Sequence, residues 1–406
     1  MASDITFGVE LEFAIPDSTL PADQPRLRDG DDAHRLAASH VAKWLYETSQ
    51  IPVSVYCWCD ASTGVARLCR GAPEANHHVN LFTVLRGPPG ADPAALTTAD
   101  SYFVHCDSVI PPGRDDWYGL EISTAARSLT TIRDENSELA GFLKHMRNSQ
   151  MNLAVTDLCG VHVHVGHKGE GITLETAKKM VTFVALLEEP LLMELVSPDR
   201  MESKFFSPIM EYSMLTRRIA ETRARAGNLN GILPPGYDSC EFWEANGRTL
   251  GPFISEIWRC RTLQDISDAL LQETDDKCSL NLTLRYPDDV DQDLLQPDPR
   301  KCTFEFRYAQ GSFCKDFIKM WVMITSCILA ICREGNEASY RRTLGSVFQV
   351  LEQAEQVEQE RCVPGLLRAL GLGGHVQEWG QLMREIGHGH DRSLVGQGEF
   401  RRLAPE

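Results

Sequence analysis

The feature that most restricts the fold of this chain is a two-residue alternation that recurs in four widely separated stretches. Gly8-Val9-Glu10-Leu11-Glu12-Phe13 puts Glu10 and Glu12 on one side and Val9, Leu11 and Phe13 on the other, the period of a half-buried strand and not of a helix. At about 3.3 Å of rise per residue the two carboxylates stand about 6–7 Å apart and point the same way. Like charges on one pleat repel unless solvent or a cation lies between them, and hard cations such as Mg²⁺ or Mn²⁺ accept oxygen ligands of this kind. Cys159-Gly160-Val161-His162-Val163-His164-Val165-Gly166 repeats the pattern, with His162 and His164 opposite three valines, and its glycines let another group approach the backbone closely. Thr303-Phe304-Glu305-Phe306-Arg307 sets Glu305 and Arg307 against two phenylalanines, and in Trp117-Tyr118-Gly119-Leu120-Glu121-Ile122-Ser123 a single Glu121 stands on the face away from Leu120 and Ile122. Solvated faces are ordinarily mixtures of Lys, Thr, Ser and Glu. A His pair, an E-x-E and an E-x-R together point to bound ions. A sheet built from these strands has one apolar side for helices to cover and one polar side rich in carboxylate, imidazole and guanidinium.

The remaining composition bounds the function. The chain has 406 residues, 43% hydrophobic and 24% charged, an ordinary globular balance with room for one large core. Its formal charge of −17 argues against a nucleic-acid backbone or an anionic membrane surface as the main partner. Asp4 and Glu10 stand where a signal peptide needs positive charge and an apolar run, so no secretory address is expected. The most apolar stretch, residues 320 to 332, is too short for a membrane span and contains Thr325 and Ser326; it reads as a buried helix. Thirteen cysteines without ligand or disulfide spacing predict reduced thiols and a cytoplasmic home. Cys57-Trp58-Cys59, the one close pair, reads as strand packing.

Elsewhere the pattern predicts helices over 33–49, 130–147, 173–196, 208–226 and 315–333, and a helical tail over 337–386 that breaks at Val363-Pro364-Gly365. Strands are expected at 51–59, at 102–110 with His105 and Asp107 on one face, and at 279–286 with Ser279, Asn281, Thr283 and Arg285 on one face. The last pairs antiparallel with the Glu305 strand. Residues 60–100, with Pro73 and Gly87-Pro88-Pro89-Gly90, read as an irregular insertion, and 227–246 as a Gly/Pro/Asn loop long enough for a lid.

Read together, the four alternating stretches resemble the signature strands of the fungal and bacterial amidoligase family, within the glutamine synthetase and glutamate–cysteine ligase superfamily. Asp107-Ser108, the segment from Glu188 to Arg200, and Gly311-Ser312 are also similar to that family, so the resemblance covers residues 5–335. It implies an α+β catalytic domain over 1–335 with insertions at 60–100 and 227–246, and a helical extension over 336–406 packed on it. The core would be a curved antiparallel sheet of about six strands, its concave polar face holding ATP and its other face covered by helices. It also implies ATP-driven amide formation through an acyl phosphate, with about two or three Mg²⁺ ions or substituting Mn²⁺. The substrates would be a small carboxylate and an amine, amino-acid-like and of secondary metabolism; a homo-oligomer is compatible with this. By the same resemblance Glu10, Glu12, Glu121, His162 and Glu305 are metal ligands, with Glu12, Glu305 and Arg307 in catalysis. His164, Arg200, Arg285 and Arg307 face the nucleotide or substrate anions. The glutamine synthetases resembled here carry an arginine two residues before the last glutamate, where this chain has Thr303, and Arg285 on the neighbouring strand is the expected substitute.

The chemistry fits these residue types. A carboxylate resists nucleophiles and has a poor leaving group until phosphoryl transfer activates it, and the protein's task is then positioning and charge neutralisation. No G-x-x-x-x-G-K-[ST] loop occurs, so metal and side chains would have to hold the phosphates. The competing reading is a cupin-like oxygenase or hydrolase using His162, His164 and Glu170 around one transition metal. It leaves Glu10, Glu12 and Glu305 unused. A catalytically silent relative that binds only a nucleotide or a protein through its C-terminal helices is the third reading.

Overall fold

The computed structural model describes residues 4–19, 30–49, 51, 53–58, 80–84, 102–107, 109, 116–134, 137–149, 151, 153–285, 297–333, 336–355 and 362–386. The fold is α+β, built on one open, mostly antiparallel sheet. Its strands are β1 (Ile5–Pro16), β2 (Val53–Trp58), β3 (Asn80–Val84), β4 (Tyr102–Cys106), β5 (Trp117–Ser123), β6 (Arg127–Ser128), β7 (Gly160–His167), β8 (Leu280–Thr283) and β9 (Thr303–Gln310). They lie in the order β3-β2-β4-β5-β1-β7-β9-β8, with β6 beside β1, and only β2 and β4 run parallel. The helices are α1 (Gly30–Ser49), α2 (Glu138–Arg147), α3 (Leu174–Leu187), α4 (Pro198–Met201), α5 (Ile209–Tyr212), α6 (Met214–Thr222), α7 (Glu241–Arg259), α8 (Leu263–Ala269), α9 (Lys315–Cys332), α10 (Glu337–Glu355), α11 (Cys362–Ala369) and α12 (Val376–Ile386). Among the described residues no helix is long and apolar enough to cross a membrane.

The alternation read in the sequence explains the layering. Along β1 the residues Ile5, Phe7, Val9 and Leu11 are buried while Thr6, Gly8 and Glu10 are only partly so. The apolar side of the sheet receives α9 against β1 and β7, and α1 against β2, β4 and β5. Trp321 of α9 lies parallel to Tyr308 of β9 at 6.3 Å between ring centroids, and both are fully buried. A single hydrophobic core runs from Ile5 to Trp379, so α10, α11 and α12 pack on the same body as the sheet.

Several elements differ from expectation. Among the described residues the sheet has nine strands where about six were expected. One addition, β3, falls inside the 60–100 insertion, whose remaining residues lie outside those described, as do the side chains of Cys57 and Trp58 and all of Cys59. The predicted helix over 130–147 is two elements: Ser128 caps a short 3-10 turn over Leu129–Arg133, and Ser137, accepting from Ala140 N, caps α2. The helix over 173–196 stops being α-helical at Leu187. Pro190 offers no N–H, and the chain widens into a π-turn over Glu188–Leu192 and then a 3-10 turn. The break at Val363-Pro364-Gly365 is instead the first turn of α11, where a proline loses no hydrogen bond. The 227–246 loop ends early at α7 and is anchored on it: Gly227 N donates to Ser255 Oγ (2.8 Å), Tyr237 meets Trp243 edge-on, and Leu229 and Leu233 are buried.

The π-turn has a structural role. Buried Glu188 accepts from Ile209 N (2.8 Å), Met210 N (2.9 Å) and Tyr308 Oη (2.5 Å), joining the end of α3, the start of α5 and the sheet. Burial raises its carboxyl to about 7, although all three donors pull the other way. Glu188→Ala leaves three buried donors without an acceptor and is expected to cost about 2–4 kcal/mol in urea denaturation.

Candidate functional site

Sheet register gathers the polar residues into one patch. β1 lies between β5 and β7, so Glu10 faces His162 across one strand boundary and Glu12 faces Glu121 across the other. Next to β7, His164 pairs with Glu305 of β9, and beyond it Asn281 of β8 pairs with the same Glu305. Between Val163↔Phe306 and Val161↔Ala309 strand β9 carries one extra residue, so Arg307 and Tyr308 together oppose His162. Arg307 keeps the polar side that it shares with Glu305, and the bulge lets the consecutive residues Tyr308 and Ala309 both be buried.

The contacts are close. His162, fully buried, has Nδ1 3.2 Å from Glu10 Oε2 and Nε2 3.3 Å from Glu12 Oε1. Arg307 Nη1 donates to Glu305 Oε1 (2.5 Å) and lies 3.2 Å from His162 Nδ1. Glu305 Oε2 accepts from Lys277 Nζ (2.6 Å) and Thr283 Oγ1 (3.2 Å). His164 places Nε2 3.1 Å from Glu10 Oε1 and Nδ1 3.1 Å from Thr303 Oγ1. At the other end, Glu121 Oε1 accepts from Ser123 Oγ (3.2 Å) and lies 2.8 Å from His105 Nε2.

Charge is unevenly compensated. Burial opposes ionisation of Glu10 and Glu305, yet their partners win: the charge of His164, with hydrogen bonds from His162 and His164, holds Glu10 well below the usual carboxylate range, and the charges of His164, Arg307 and Lys277 do the same for Glu305. Burial, together with Arg307, pushes His162 down to about 4, so its imidazole is neutral. Glu12 is raised to about 8 by burial and by the charges of Asp107 and Glu121, and Glu121 is raised by burial and by Glu10. The charges of Arg307 and Arg200 near Glu12, and of His105 beside Glu121, thus fall short of offsetting burial and the repulsion between carboxylates directly opposite on neighbouring strands.

A divalent ion fits that shortage. Glu10, His162 and Glu305 offer one ligand atom each within 4.8 Å of one another, and so do Glu12, Glu121 and His162. The second group also contains a buried donor atom without a hydrogen-bond partner: His162 Nε2 is near Glu12 but out of line for a hydrogen bond. A neutral imidazole has one acceptor nitrogen, so His162 can ligate on one side while its other N–H is held by a glutamate. Four carboxylates to one imidazole favour Mg²⁺ or Mn²⁺ over softer metals.

The predicted residues are placed as follows. Glu10, Glu12, Glu121, His162, His164, Glu305 and Arg307 form the patch. Arg200 also joins it, completely buried at the end of α4, with its guanidinium donating to Leu158 O (3.2 Å) and Arg307 O (3.4 Å) and its charge acting on Glu12. Its guanidinium is thus spent largely on carbonyls inside the fold. Arg285, the expected substitute at Thr303, is not brought to the patch: β8 ends at Thr283, and Arg285 lies exposed beyond it. Lys277 is instead the cation on Glu305 Oε2. It has the parity of Ser279, Asn281 and Thr283, so extending the alternation toward the N-terminus instead of toward Arg285 would have found it. Glu170 is exposed in the turn after β7, apart from His162.

Gly160 is the floor of the patch. Its N–H donates to Glu12 Oε2 (2.5 Å), and a Cβ there would lie 2.8 Å from Arg200 Nη2, 2.9 Å from His162 Nε2 and 3.2 Å from Glu12 Oε2. Gly160→Ala is expected to keep the fold and weaken Mn²⁺ binding about 10- to 100-fold in a titration followed by electron paramagnetic resonance. Comparison of the chain with protein-family models, curated proteins and solved structures gives no match.

Proposed function

We propose that this chain is an ATP-dependent carboxylate–amine ligase that joins amino-acid-like small molecules. What supports the reading is convergence: carboxylates and imidazoles from β1, β5, β7 and β9 meet in one buried patch beside Arg307 and Lys277. Phosphoryl transfer to a carboxylate needs such a place, because ATP, the carboxylate and the departing ADP are all anionic and must come together. Glu10, Glu12, Glu121, His162 and Glu305 would hold divalent ions, which supply charge neutralisation for the phosphates.

The protein's own groups divide the remaining work. Arg307, fixed at Glu305 and His162, presents a planar fork to the anionic group in transfer. The acid's oxygen attacks the γ-phosphorus and the bond to ADP breaks. The amine then attacks the acyl carbon, phosphate leaves, and the amine gives up a proton. Burial of the patch limits competing attack by water. The cupin-like alternative requires Glu170 beside His162, and the exposed position of Glu170 gives it no support.

Purified protein given ATP, Mg²⁺ and mixed amino and carboxylic acids is expected to release ADP only when both an acid and an amine are present, with an amide detected by mass spectrometry. Absence of ATP turnover under all pairings, or oxygen uptake with Fe²⁺, overturns the reading. Glu305→Gln is expected to abolish ADP release with an unchanged circular dichroism spectrum. Arg307→Lys is expected to lower kcat about 100-fold or more, since a point charge cannot replace a two-pronged contact.

A further inference from the structure

We infer that Lys277 is a displaceable cation: it occupies Glu305 until a divalent ion takes that carboxylate, and its ammonium then receives the phosphate of the nucleotide. This rests on the ligase reading of the same patch.

Glu305 is fully buried, and each of its oxygens holds a cationic side chain, Arg307 on Oε1 and Lys277 on Oε2. The two cations are not equivalent. Arg307 belongs to β9 itself, is four-fifths buried and is also held at His162. Lys277 lies outside the strands, and 43% of its side chain is exposed although its ammonium ends on a carboxylate with no exposure. Its stem is therefore free to move, and among the described residues its head is held at Glu305.

The backbone that carries Lys277 is fixed. Residues 271–277 form a closed turn: Leu271 and Lys277 bridge, Gln272 N donates to Asp276 O (2.8 Å), and Gln272 Nε2 donates to Lys277 O (3.0 Å). Asp275 adopts the left-handed conformation at φ 61° that closes the turn. Movement of the ammonium thus needs only side-chain rotation, which is fast in an exposed stem.

An ammonium and a divalent ion compete for one carboxylate oxygen, and their mutual repulsion at adjacent positions excludes both being held there comfortably. Lys277 consequently opposes binding of the metal alone. A phosphate brought in with the metal reverses the sign, because the displaced ammonium gains an anionic partner. The residue couples metal and nucleotide, each favouring the other.

The test uses Mn²⁺ alone, and then Mn²⁺ with a non-hydrolysable ATP analogue, on the full chain and on Lys277→Met and Lys277→Arg. Lys277→Met is expected to bind Mn²⁺ alone about 3- to 10-fold more tightly, and the analogue at saturating Mn²⁺ about tenfold more weakly. Lys277→Arg is expected to keep both within about threefold of the parent. General damage to the site would weaken both, so the opposite signs are diagnostic. Unchanged Mn²⁺ affinity in Lys277→Met, or shifts in the same direction, overturns the role of Lys277 while leaving the ligase reading intact. A parent chain that binds no Mn²⁺, or Mn²⁺ but no analogue, overturns the ligase reading and this inference with it.

Discussion

Four carboxylates buried on one side of a sheet must each find positive charge or a proton, and much of the arrangement around them answers that demand. Glu10 is answered by His164, and Glu305 by Arg307 and Lys277. Glu12 and Glu121 face each other across the β1–β5 boundary, where a backbone N–H, a serine, His105 and the more distant charges of Arg307 and Arg200 do not offset their burial and repulsion. Desolvation makes that deficit costly in a way that it would not be on a wet surface. The same deficit is what gives a metal-binding reading its physical basis.

Glu188 shows the alternative solution within the same molecule. It is as buried as the patch residues, but its oxygens are met by two main-chain donors and a tyrosine hydroxyl from segments that the fold fixes. A carboxylate so enclosed has no opening for a ligand and acts as a joint. Glu12 and Glu121 have donors too, yet burial and neighbouring carboxylates still raise both. What separates a joint from a candidate ligand here is therefore the balance of charge around it, not burial. The rigid support behind the patch, with α9 pressed on β1 and β7 and Trp321 against Tyr308, keeps side chains from relaxing that imbalance by moving apart.

Much of this was legible in the residues because strand alternation is a local property. Glu10 with Glu12, His162 with His164, and Glu305 with Arg307 each declared a shared face within a few residues. Which faces meet is not local: the pairings of Glu12 with Glu121 and of His164 with Glu305 come from strand order, which no single stretch carries. Lys277 escaped because the alternation was followed from Ser279 toward Arg285 and not back into the turn before β8, where Lys277 has the same parity. Arg285 was misplaced for the converse reason, since the strand ends before it although the pattern continues. The helix over 130–147 was read too long because hydrophobic periodicity ran across Ser137, whose capping role shows only in the contact it makes.

The extra residue in β9 has a consequence for how such a patch can change over time. Point replacement alters what stands at positions 305 to 310, whereas the extra residue sets which of them, Ala309 and Gln310, lie opposite Val161 and Gly160. A gain or loss of one codon there would shift the remainder of the strand relative to Val161 and Gly160 in a single step. Chain length between Glu305 and Gln310 is thus under tighter restraint than the identities in between, and variation in a lineage retaining this arrangement should be found as exchanges there and almost never as gaps.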